Sequence, residues 1–156
     1  MAGAVEAPAW LRLPVPLLAW ALNVASLAAH GLVLGTAAPL GRAPLEGGLL
    51  IAAGVGWVAW AAWHLRRAGT PFAPAAQPAV LVEEGPYRFG RHPVYLGMAT
   101  AMVGLAVTLG VPTLLFAAAA FVFVVGRFHI PFEEQRLQRR FGGWYSDYAA
   151  QVRRWL

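Results

Sequence analysis

Three long stretches of this chain carry no charged residue: 13–41, 47–65 and 92–126, each bounded by an arginine or glutamate. No small soluble core could bury so much continuous apolar length, since 59% of the 156 residues are hydrophobic and only 12% are charged. The first two stretches each fit one membrane-spanning helix of about 20 residues. The third is too long for one span, and Gly110 and Pro112 near its centre would break a helix there. The pattern predicts an all-α integral membrane protein, one domain over 1–156. Its four transmembrane helices fall at about 14–38, 47–65, 93–109 and 112–130, the last two forming a tight hairpin. A cytoplasmic loop at 66–92 and cytoplasmic amphipathic helices at 131–156 complete it.

Arginine placement sets the expected orientation. Arg12, Arg66, Arg67, Arg88, Arg91 and the arginines from Arg127 onward share one side of a four-span arrangement, leaving Arg42 alone on the other. Both termini are therefore expected in the cytoplasm. The formal charge of +5 is explained by topology and anionic headgroups, so no nucleic-acid partner is implied. The absence of cysteine excludes disulfides, thiolate metal sites and cysteine nucleophiles. All twelve basic residues are arginine, a bias that points to a GC-rich bacterial genome and so to a bacterial cytoplasmic membrane. The first apolar run is about twice the length of a signal-peptide core and reads as a span.

Within the second span, Trp57, Trp60 and Trp63 recur every three residues, as expected of an interfacial or packing stripe, and Gly54 and Gly56 permit close helix approach. His30 and His64 read as packing residues. The loop that follows holds Pro71, Pro74, Pro78 and Pro86 and reads as a binding connection rather than a helix. After Arg127 the chain is expected to turn at Pro131 into an amphipathic helix, with Leu137 and Phe141 opposite Arg136, Arg139 and Arg140. Gly142-Gly143 should interrupt it before a second helix carrying Trp144, Tyr145, Tyr148, Val152 and Trp155 on one side.

Two polar clusters, Glu83–Gly97 and Arg127–Gly142, flank the hairpin. Because a hairpin returns the chain to the side it left, Arg91, His92 and Tyr95 can meet Glu133 and Glu134. That collects a cation, a titratable donor, a phenol and two carboxylates over an apolar floor, which suits a zwitterionic ligand with polar and aromatic parts.

The string GPYRFGRHPVYLG, followed after the hairpin by EEQRLQRRFGGWYSDYAAQVRRW, resembles the isoprenylcysteine carboxyl methyltransferase and phospholipid methyltransferase families. The resemblance covers about Val80 to Trp155. It implies S-adenosylmethionine as cofactor, held by Val80, Leu81, Val82, Tyr87, Arg91, His92, Pro93, Val94, Tyr95 and Glu133, and a lipophilic or lipid acceptor drawn from the membrane and methylated on a carboxylate, an amine or a thiol. Where isoprenylcysteine enzymes place an acceptor-contacting arginine, four residues before the first glutamate of the pair, this chain has His129, which puts a prenylcysteine carboxylate in doubt. Glu134 and His129 are the candidates to assist an acceptor that must lose a proton. Methyl transfer from a sulfonium is an in-line displacement needing no metal, and no obligate protein partner is implied. A small four-helix transporter and a non-catalytic scaffold are the rival readings. No acidic residue falls inside an expected span, which disfavours transport.

Overall fold

A computed structural model describes residues 14–34, 41–70 and 79–156, and all of their regular structure is helical. The helices are α1 (Val15–Leu34), α2 (Pro44–Arg67), α3 (Pro93–Leu109), α4 (Thr113–Val124), α5 (Ile130–Phe141) and α6 (Gly143–Gln151). A short 3₁₀ turn covers Gly85–Arg88 and a π-helical segment covers Val125–His129. The expected extension of the first helix to Ala38, and Arg12, Pro71, Pro74 and Pro78, lie outside the described residues.

Among the described residues, three helical runs are long and apolar enough to cross a membrane: Val15–Val33, Pro44–Arg67 and Thr113–Phe141. At 17 residues, α3 is a shorter apolar helix, reaching about 25 Å at 1.5 Å per residue. It lies against α2 on glycines spaced seven apart on each side, Gly47 and Gly54 facing Gly104 and Gly97. A Cβ on Gly54 would meet the Gly97 carbonyl and the Ala101 backbone nitrogen, and one on Gly97 would meet the Gly54 carbonyl. Backbone thus packs on backbone, the arrangement small residues permit where lipid supplies no hydrophobic drive. Gly56, the other glycine expected to allow close approach, faces open space. Helix α2 begins three residues before Gly47, because Pro44 fits the first turn of a helix, where no N–H partner is needed.

The hairpin breaks where the sequence predicts. Gly110 ends α3 in the left-handed conformation (φ 65°), and Pro112 precedes α4. Helix α1 packs on α4, with the Thr113 hydroxyl donating to the Ser26 carbonyl at 3.4 Å. The core between them joins Val15 and Ala19 to Tyr95, Met102, Ala117, Ala118, Phe121, Val125 and Ile130.

Two expectations are corrected. No turn occurs at Pro131: helix continues from Thr113 to Phe141, because the π segment between α4 and α5 accommodates the proline. A proline lacks the N–H for the bond to residue i−4 and crowds that carbonyl. Here the wider π turn, with the Ile130 N–H donating to the Val125 carbonyl, absorbs the fault. The second correction is that α6 stops at Gln151. Val152 is extended (φ −114°, ψ 128°), so Val152 and Trp155 do not share a helix with Tyr145 and Tyr148.

Candidate functional site

The site forms where the start of α3 meets the α4–α5 run. In an unbroken α-helix the inward face marked by Phe121 and Val125 would continue near Phe128 and Phe132. The π segment adds a residue to that turn, and the buried positions become His129 and Ile130, with Phe128 left 40% exposed. One turn further, Glu133 and Glu134 come round toward α3. Single π turns in α-helices occur often at functional sites for this reason, since they re-aim the side chains that follow. Because the helix is continuous, Glu133 sits at no free helix N-terminus, and a dipole-favoured capping role does not account for it.

Each glutamate has a distinct set of partners. The Tyr95 hydroxyl donates to Glu133 Oε1 at 2.5 Å. His92, with its ring stacked on Tyr95 at 5.9 Å, places Nδ1 3.5 Å from Glu133 Oε2 and Nε2 3.4 Å from Glu134 Oε1. An imidazole with a carboxylate on each nitrogen satisfies both only as the doubly protonated cation. Burial alone would push the His92 pKa down, but the hydrogen bonds and charges of Glu133 and Glu134 outweigh it and raise it.

Glu134 is enclosed by cations. Arg91 donates to its Oε1 through Nη2 at 2.8 Å and Nε at 3.3 Å, and Arg154 reaches Oε2 through Nη2 at 2.7 Å and Oε1 through Nε at 3.2 Å. Arg91 also donates to the carbonyls of Ala149 (2.8 Å) and Val152 (2.7 Å), so its fork is committed to the protein. Glu133 is the more open of the two carboxylates, 26% exposed against 15%.

The segment before α3 is positioned from two sides. Gly85 adopts φ 60° with the His64 ring where a Cβ would stand, which locks the 3₁₀ turn onto α2 and gives His64 its packing role. From the other side, Leu81 packs with Tyr145 and Tyr148, backed by Leu137, Phe141 and Val152. The Tyr148 hydroxyl donates to the Tyr87 carbonyl at 2.8 Å, and the Thr70 hydroxyl both accepts from the Val80 N–H and donates to its carbonyl at 3.3 Å. Burial, then the neighbouring Tyr148 and Glu133, raise the Tyr87 phenol above its ordinary pKa; burial and Glu134 push Tyr145 up to about 12. Both phenols stay neutral at neutral pH.

The structure therefore brings together Arg91, His92, Tyr95, Glu133 and Glu134, with Tyr87 close enough to Glu133 to feel its charge. Pro93 is fully buried, Val82 and Val94 are partly buried and Val80 is 44% exposed at the rim. His129 is buried one turn before Glu133. Sequence reasoning missed Arg154: twenty residues from Glu134 and paired with Arg153, it reads as one more basic residue of the topology signal. Beside the site, an open apolar groove of about 690 Å³ runs between α3 and α4, lined by Ala99, Val103, Ala118, Val122 and Phe123 among others. Ala99 lies one helical turn beyond Tyr95.

The sequence matches the phospholipid methyltransferase family over residues 44–143. Among curated proteins, protein-S-isoprenylcysteine O-methyltransferases B and A of Arabidopsis thaliana are each 44% identical over 75 residues, 46% of this chain and 36% of the relative. A probable protein-S-isoprenylcysteine O-methyltransferase of Oryza sativa subsp. indica is 40% identical over 75 residues, 46% of this chain and 38% of the relative. The matched stretch spans little more than a third of the length of these relatives.

Proposed function

The chain belongs to the phospholipid methyltransferase family, and from that membership we propose that it is an integral membrane enzyme transferring a methyl group from S-adenosylmethionine to a lipophilic acceptor. The observation that carries the reading is the His92–Tyr95–Glu133 cluster, with Tyr95 one helical turn before Ala99 of the apolar α3–α4 groove. The donor set fits a zwitterionic sulfonium cofactor: Glu133 is a half-open carboxylate able to accept from an ammonium or ribose hydroxyls, and the His92 imidazolium can face a carboxylate. Tyr87, Pro93, Val94, the buried Leu81, the partly buried Val82 and the exposed Val80 supply the apolar surround. When bound, S-adenosylmethionine supplies a methyl group already activated for in-line displacement.

The chain's own part is to bind, orient and exclude water, the effects that dominate when no covalent intermediate is needed. Tyr95 fixes the rotamer of Glu133, and His92 bridges both carboxylates. Glu134 has its charge balanced by Arg91, Arg154 and His92 and is poorly suited to take a proton, so we assign it and Arg91 to framing the site. His129, buried one helical turn before Glu133, is the side chain we assign to face the acceptor. The acceptor's hydrocarbon lies in the α3–α4 groove and enters sideways from the bilayer. We further propose that α3 is the fourth span and that both termini are on the cytoplasmic side of a bacterial membrane.

Calorimetric titration with S-adenosylhomocysteine, followed by labelled-methyl incorporation into lipid extracts, tests the proposal. Binding and a labelled lipid product are expected. No heat and no thermal stabilisation at millimolar ligand, in detergent that preserves the fold, would overturn it.

A further inference from the structure

The segment Val152–Leu156, which follows α6, does more than leave the helix. The Arg91 N–H donates to the Arg153 carbonyl at 2.9 Å, and the Arg91 guanidinium to the Val152 carbonyl. The Trp155 carbonyl occupies the space a Cβ on Gly90 would need, so only glycine admits this approach. The Trp155 side chain packs onto the core that contains Tyr95 and lies over Gly126 of the π segment. Between these anchors, Arg154 closes side-on over Glu134. One short extended segment thus ties together the loop before α3, the π turn and the glutamate pair.

We propose that this segment is a strap, and that Arg154 is a positioning residue for the cofactor-holding pair His92 and Glu133, acting through Glu134. Arg91 and His92 share Glu134 Oε1, and Arg154 alone among the described residues donates to Oε2. Without that second arm the carboxylate is free to rotate and offer either oxygen to Arg91. His92, already at 3.4 Å and 3.5 Å from its two carboxylates, then loses one of the two contacts that fix its ring. A ligand bound by His92 and Glu133 would register that loss, whereas a purely stapling role would leave the affinity of the folded protein unchanged. At 44% exposure Arg154 is too open for its ion pair to dominate stability.

The inference rests on the reading that the cluster binds S-adenosylmethionine, and the experiment separates the two. Calorimetry with S-adenosylhomocysteine is run on wild type, R154K and R154Q, with apo melting temperatures alongside. Absence of binding by wild type sinks the functional reading itself. With wild type binding, R154Q is expected to weaken affinity by about tenfold and R154K by about threefold, since lysine keeps the charge but offers one point contact in place of a fork. In turnover the loss should fall on KM for S-adenosylmethionine, with KM for the acceptor unchanged. Wild-type affinity in R154Q, or a lowered melting temperature with unaltered affinity, overturns the positioning role. If R154Q does not fold, R154K carries the test, and wild-type affinity there is the overturning result.

Discussion

Replacing Glu133 by glutamine removes one charge and almost no volume, so its consequences can be worked from the contacts. In the free protein Glu133 accepts from the Tyr95 hydroxyl at 2.5 Å and faces His92 Nδ1 at 3.5 Å. An amide oxygen can still accept from Tyr95, and the ion pair with His92 is long and partly solvated. No helix N-terminus contributes, because α5 continues α4 through the π segment. The free protein should therefore lose on the order of 1 kcal/mol or less. With ligand bound, a charge-assisted hydrogen bond is worth roughly 1.5–3 kcal/mol, or about ten- to 150-fold in affinity. Glu134→Gln is the contrasting change. It strips a charged partner from Arg91, whose side chain is 13% exposed, and breaking a buried pair costs roughly 3–5 kcal/mol, of which the exposed Arg154 arm contributes little. The assay is calorimetric affinity for S-adenosylhomocysteine paired with apo melting. Glu133→Gln should move affinity with little change in stability, whereas Glu134→Gln, which also weakens a His92 contact, should lower stability as well as affinity. Affinity within threefold of wild type in Glu133→Gln would refute the division of labour drawn here.

Other outcomes follow from separate parts of the structure. Gly97→Val places side-chain atoms against the Gly54 carbonyl and Val58 and should cost roughly 1–3 kcal/mol or more, whereas Gly56→Ala, which faces open space, should leave melting within about 0.5 kcal/mol; equal effects would dismiss backbone-on-backbone packing of α2 and α3. Because the His92 pKa is raised, its ion pairs stabilise the fold fully below about pH 6.5 and are lost as pH rises through the folded-state value. Imidazole NMR should show His92 titrating above the ordinary range, and a midpoint below that range would contradict the two-carboxylate cradle. For topology, Pro44→Cys and Asp147→Cys should label from opposite faces of the membrane, on a background free of native cysteine; labelling of both from one side excludes four spans with cytoplasmic termini.

The sequence made the helices legible because charge and apolar length are strong signals. The gap at Gly110–Pro112 places the hairpin, and α3 begins at Pro93 and ends at Leu109 as expected. The meeting of Arg91, His92 and Tyr95 with Glu133 and Glu134 follows from hairpin connectivity alone. Side-chain commitments did not follow. That the Arg91 fork is committed to the protein depends on carbonyls at Ala149 and Val152, about sixty residues away, which no local pattern encodes. Arg154 was invisible for the same reason. The register of glycines 47, 54, 97 and 104 was present in the sequence, but pairing them required knowing which helices adjoin.

The least legible feature is also the one that assembles the site. Read by rule, Pro131 after a long apolar run marks a helix end, and the glutamates after it become ordinary first-turn residues. The π segment reverses that inference. It takes up the proline without ending the helix and shifts the buried face by one residue, to His129 and Ile130. Without that extra residue the inward face would pass through Phe128 and Phe132, and the two carboxylates would be turned away from His92 and Tyr95. The proline is therefore tolerated by the same distortion that aims Glu133 and Glu134 at the start of α3. A tight α-helical turn here would lose both the accommodation of Pro131 and the cluster on which the proposed cofactor site depends.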